Sequence, residues 1–234
     1  MEPSGIGEDR AAEWRDALGA DAARARELAY VRAFQLVKDV QTPLSGTTEE
    51  ISALLSEARA NDWPEVVRAA MFADAAQAHE RGAAAYQESV QRMLSRAETD
   101  GAPVMIALAL AMRATRATTV EGEAQFAVSA DDDLVRASVI LESADGPVIE
   151  RISAHNSCAM AYAERWLWEI ADDQYATALK LAPDSPAPWA QIVLPAVVYN
   201  RAEMQVTWAC ILRQLGDDVA VQERWETWQT VMAG

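Results

Sequence analysis

The 234-residue sequence predicts an all-α fold of stacked antiparallel helix pairs, and three observations carry that expectation. Alanine dominates, arginine, glutamate, glutamine, leucine and methionine are common, and only ten glycines and nine prolines interrupt them, a composition that favours helices. Apolar residues recur near helical period between clear Gly/Pro breaks. Within Ile152–Ser185, Ala159 is followed three residues later by Tyr162, Ala171 four later by Tyr175, and then come Ala178 and Pro183. Small residues let two helices approach closely, aromatics fill the space beside them, and proline stops the second helix.

Taken in order, residues 1–7 read as a disordered tail ahead of one helical domain over 8–234, with a sub-boundary expected near 119–130. Glu8–Leu18 and Asp21–Val40 read as helices; in the second, Leu28, Val31, Leu36 and Val37 recur near helical period and Asp21 is placed to cap it. Gln41–Gly46 is a loop, after which Thr47 or Thr48 is placed to cap Glu49–Asn61. Pro64 opens the next helix in its first turn, where a missing N–H costs nothing, and Pro64–Arg81 and Ala83–Thr99 are expected to pair around Gly82. Asp100–Pro103 is a break, and the apolar helix Pro103–Thr118 should be central to the core. Thr119–Ser129 is ambiguous. Asp131 is placed to cap a helix to Ser143, in which Ser138–Leu141 also has strand character. Helices follow over Val148–Ala163 and Leu167–Leu181, then a proline-rich connection over 182–188. Trp189–Leu215 reads as one long helix kinked at Pro195, and Gly216-Asp217 as a stop and a new cap before a last helix, Asp218–Met232.

Charge and composition exclude several function classes. A formal net charge of −16 disfavours nucleic acid and anionic membrane, since both require basic surface to neutralise phosphate. The amino terminus lacks the apolar core of a secretory signal, and the longest apolar run, Ala102–Met112, is far short of the roughly 20 residues a spanning helix needs. A cytoplasmic protein is expected. Cys158 and Cys210 lack metal-type spacing and read as buried free thiols.

No residue set supports catalysis, a metal or a cofactor. His79-Glu80 begins like a helical zinc motif, but Ala83 stands where the second histidine belongs. Asp131-Asp132-Asp133 and Asp172-Asp173 are adjacent carboxylates that splay around a helix axis; they read as capping and solvated charge rather than as a magnesium site. There is no glycine-rich phosphate loop and no nucleophile elbow.

The polar and aromatic residues of the last third remain as the candidate groove or interface. Trp166, Trp168, Trp189, Trp208, Trp225 and Trp228 cluster there, and tryptophan is costly to expose and enriched in binding hot spots. Packing between helices is the simpler explanation for most of them. His155, Asn156, Asn200, Arg201 and Glu203 interrupt otherwise apolar helices. Arg201 and Glu203 point in different directions and cannot simply pair, so these groups bond across facing helices or line a ligand groove.

The spacing within Ile152–Ser185 is that of a tetratricopeptide unit of roughly 34 residues. Ala220 lies 49 residues after Ala171, one such repeat plus an insertion of about 15, so the array is expected to be irregular. The ordered series His155-Asn156, Tyr162, Leu167–Ala171, Tyr175, Ala178-Leu179, Asn200–Glu203, Trp208 and Leu212–Gly216 resembles the tetratricopeptide-like helical region that precedes the GGDEF domain in actinobacterial diguanylate cyclases. Trp166 departs from the pattern by standing where such repeats usually turn on glycine, and the GGDEF motif itself is absent. The resemblance implies a regulatory input module for cyclic di-GMP signalling, with a protein partner or a second copy as its contact and a small-molecule ligand as a further expectation. The close at Val231–Gly234, directly after a Trp-bearing helix, is read as a segment of a longer protein or one side of an interface. The alternative is a stand-alone scaffold of the same tetratricopeptide-like kind that binds a peptide or a partner protein.

Overall fold

The computed structural model describes residues 22–39, 47–115, 117–120, 123–125, 130–183 and 192–233. Ten α-helices occur among the described residues, and all-α helix pairing is the architecture. The expected helix Glu8–Leu18 and the connections 41–46 and 184–188 lie outside the described residues. Packing density divides the chain into two compact units, residues 1–96 and 97–234. The stretch 119–130 falls inside the second unit.

In the first unit, α1 (Ala22–Asp39), α2 (Thr47–Ala60) and α3 (Pro64–Ala78) pack on one another. The core forms where Tyr30 meets Phe34 edge-on at 5.2 Å and Phe34 meets Phe72 at 5.9 Å between ring centroids. Pro64 sits in the first turn of α3, as its missing N–H dictates. A short 3-10 turn, His79–Arg81, leads through Gly82 into α4 (Ala83–Thr99). Asp74 fixes that hairpin, accepting from Ser89 at 3.1 Å, Arg92 at 3.1 Å and Arg81 at 2.7 Å.

In the second unit, α5 (Pro103–Ala114) is the core helix that its apolar run predicts, with Val104, Met105, Ala107–Met112 and Ala114 buried. It ends earlier than Thr118, because Thr115 turns extended and its hydroxyl donates back to the Met112 carbonyl. The β-branched Thr118-Thr119-Val120 then favours strand: β1 (Ala117–Val120) and β2 (Glu123–Gln125) pair antiparallel, Ala117 opposite Gln125 and Val120 opposite Glu123. Helix α6 (Ala130–Ser143) absorbs Ser138–Leu141. It begins before Asp131, which therefore pairs with Arg165 instead of capping.

Helices α7 (Val148–Ala163), α8 (Trp168–Leu181), α9 (Leu194–Leu215) and α10 (Asp218–Ala233) complete the unit. Each packs on its sequence neighbour, and α5, α7 and α9 also pack in succession. Pro195 lies in the first turn of α9 and kinks nothing, because the helix starts later than Trp189. Gly216 closes α9 in the left-handed conformation, and the Asp217 carboxylate accepts from the Ala220 amide at 3.0 Å to start α10, as expected.

A candidate interface on helices α7 to α10

The small residues predicted at the helix contacts are where close approach requires them. Ala159 on α7 and Ala171 and Ala178 on α8 are fully buried, and Tyr175 fills the space beside them. Burial chiefly, with the charges of Glu203, Glu164 and Asp172, pushes the Tyr175 phenol well above its ordinary value. Tyr162 reaches sideways instead, its hydroxyl 2.7 Å from that of Ser138 on α6.

The polar residues bond across facing helices. His155 is buried, and its Nδ1–H donates to Gln174 Oε1 of α8 at 2.7 Å. Asn200 of α9 donates to Asn156 Oδ1 of α7 at 3.2 Å and lies 3.4 Å from the Met160 sulfur. Arg201 makes a two-pronged pair with Asp172, Nε to Oδ1 at 2.7 Å and a terminal nitrogen to Oδ2 at 2.9 Å. Gln205 Nε2 donates to the same Oδ1 at 2.7 Å. Gln205 is completely buried, and its Oε1 has no hydrogen-bond partner among the described residues.

This arrangement corrects the reading of the aspartates as solvated charge. Asp172 is the hub that ties α8 to α9, whereas Asp173 is exposed. Asp133 is buried and accepts from two nitrogens of Arg113 at 2.6 Å, joining α5 to α6. Only one of two adjacent carboxylates faces a neighbouring helix, and spacing alone does not say which. Asp172, Gln174 and Gln205 were therefore missed, although an Arg two residues from a Glu, unable to pair with it, already called for an acid elsewhere.

The tryptophans divide into two groups. Trp168 stacks on Trp208 with centroids 6.2 Å apart, and the Arg224 guanidinium lies 4.2 Å over the Trp208 ring, so α8, α9 and α10 meet there. Trp225 and Trp228 stack on each other at 4.7 Å, but no side chain of α10 is fully buried among its described residues. Trp225 and Glu203 are exposed; Trp189 lies outside the described residues. Cys158 is buried, its thiol pushed up to about 12 by burial. Cys210 is exposed, contrary to the expectation of two buried thiols.

Trp166 is the outlier. It is 66% exposed and holds φ +62 in the turn between α7 and α8. The turn is built by two reversed bonds, Leu167 N–H to the Tyr162 carbonyl at 3.1 Å and Trp166 N–H to Ala163 at 3.0 Å, the Schellman arrangement. The chain closes α4 and α9 with the same pair of bonds, and there the left-handed residue is Gly101 and Gly216; after α2 it is Asp62. Tightness is thus retained without glycine, at a backbone cost of roughly 1–2 kcal/mol for a residue with a Cβ.

Among the described residues no group of three or more His, Cys, Asp or Glu is placed to hold a metal ion, and no helix is long and apolar enough to cross a membrane. No protein-family model matches the chain, and no curated protein or solved structure matches it.

Proposed function

We propose that this chain is a regulatory protein-interaction module that works in the cytoplasm through the α7–α10 helix pairs. The observation that carries this reading is a division of labour among the side chains. His155, Asn156, Asn200, Arg201 and Trp208 are used up in holding helices together. Trp166, Leu167, Ile170, Tyr199 and Trp225 stay exposed beside them. Exposed tryptophan, tyrosine, leucine and isoleucine side chains beside helices already tied together by their polar groups favour contact with another macromolecule.

In the fuller form of this reading the chain is the input region of a diguanylate cyclase, and α10 passes a change in helix packing or dimerisation to a catalytic domain downstream. The ordered series from His155 to Gly216 supports it. Sequencing the reading frame beyond codon 234 tests it: an encoded Gly-Gly-Asp/Glu-Glu-Phe segment is the expected result, and a stop codon there leaves the stand-alone scaffold. Light scattering across a concentration series tests the dimer. A mass that rises with concentration supports transmission through self-association, and a fixed monomer mass removes it.

A further inference from the structure

We infer that the α7–α8 turn is a docking knob for a basic amphipathic helix of a partner protein, with Trp166 as its anchor. The inference rests on the interaction-module reading and adds the place and the chemistry of the contact.

Three exposed apolar side chains gather at this turn: Trp166, Leu167 and Ile170. They are not the loose end of a chain. The turn is pinned by the Schellman bonds and by Arg165, which donates to the Ala161 carbonyl at 2.8 Å and to Asp131 of α6 at 2.7 Å. The backbone that carries the knob is therefore fixed before any partner arrives, which lowers the entropy cost of docking. The backbone position would be less strained with glycine, as at Gly101 and Gly216, so the exposed indole is carried at a backbone cost.

The same ion pair locates a second part of the surface. Asp131, Val135 and Val139 follow one another at four-residue spacing on the exposed side of α6, so the carboxylate at the turn leads on to two exposed valines about one helical turn apart. Such a row suits a helix, presenting its own apolar residues at three- and four-residue spacing.

Charge selects the partner. Asp131, tied to the turn through Arg165, and Glu169, next to Ile170, are both exposed; Arg165 is already paired with Asp131, and the exposed Arg136 of α6 with Glu98. Acidic groups beside an apolar centre favour lysine and arginine flanking the partner's apolar face. They oppose a second copy of this chain, whose net charge is −16, and an anionic lipid surface.

The test is a titration of the full chain with a labelled helical peptide of about 18 residues, leucine at helical spacing and lysine elsewhere, followed by anisotropy. A glutamate counterpart and a scrambled leucine–lysine peptide serve as controls. The expected result is binding of the ordered cationic peptide only, weakened about tenfold by Trp166→Ala. Asp131→Asn with Glu169→Gln should weaken it at about 0.15 M salt, and the difference should shrink at about 0.5 M. Trp166 is mostly exposed, so circular dichroism should show the variant folded. Equal binding by Trp166→Ala, or equal binding of the scrambled peptide, overturns the inference. So does Trp166-dependent binding to phosphatidylcholine vesicles without peptide binding, or a Trp166-dependent change in the chain's own mass. If Trp225→Ala abolishes peptide binding and Trp166→Ala does not, this assignment fails while the interaction-module reading stands.

Discussion

Trp166 and His155 show how single residues record a conflict between folding and environment. Replacing Trp166 by alanine or by glycine removes the same indole, but only glycine relieves the left-handed backbone. Trp166→Gly should therefore be more stable than Trp166→Ala by about 1 kcal/mol in urea unfolding. Equal midpoints would show that the turn relaxes without strain. For His155, burial is the chief cause that holds the imidazole below its ordinary value of 6.5; the bond to Gln174 opposes it and the charge of Arg151 adds to it. The folded chain then binds this proton less readily than the unfolded one. The contribution is complete above about pH 6.5 and is lost as pH falls through the folded value. The stability lost between about pH 7.5 and about pH 5.5 should consequently be smaller in His155→Gln than in the parent chain, measured by urea unfolding at each pH. An identical loss in both would assign the acid sensitivity to the carboxylates.

At the scale of helices, Asp172 concentrates the attachment of α8 to α9, since one carboxylate serves both Arg201 and Gln205. Asp172→Ala leaves a half-buried guanidinium and a buried amide without their acceptor, and should cost about 3 kcal/mol by chemical denaturation. Adding Arg201→Ala to it should cost less than the two single changes together, because the second removes the group the first left stranded. Additive losses would mean the pair is held by packing alone. This hub marks the limit of what the sequence discloses. Helix existence was legible because apolar period and Gly/Pro punctuation are local: Pro64, Gly82, Gly101 and Gly216 all stand at helix boundaries. The contacts Ala159, Ala171, Tyr175 and Ala178 were legible for the same reason. Pairings between helices were not, because Asp172 and Asp173 are chemically identical and only the azimuth set by tertiary packing separates them. The β1–β2 hairpin escaped notice because a three-residue β-branched run does not outweigh the helical context that precedes it.

Across the whole chain, 36 acidic residues face 20 basic ones, so long-range electrostatics oppose compaction even though individual pairs favour it. The two kinds of interaction respond differently to salt. Arg113–Asp133 and Arg201–Asp172 are at least partly buried and are screened little, whereas exposed pairs such as Arg32–Glu50 and Arg136–Glu98 contribute little to begin with. The diffuse repulsion among surplus carboxylates acts through solvent over distances comparable to the Debye length, about 30 Å at 0.01 M and about 8 Å at 0.15 M. Raising sodium chloride through that range should therefore raise the thermal midpoint, and the gain should level off once the screening length falls below the spacing between surface charges. Removing exposed acids that form no ion pair among the described residues, for example Asp173→Asn with Glu203→Gln, should reduce the salt-dependent gain while leaving the high-salt midpoint nearly unchanged. A midpoint that fell with salt would mean that the surface ion pairs outweigh the net repulsion, and that the −16 charge is arranged in attractive networks rather than spread as a uniform excess.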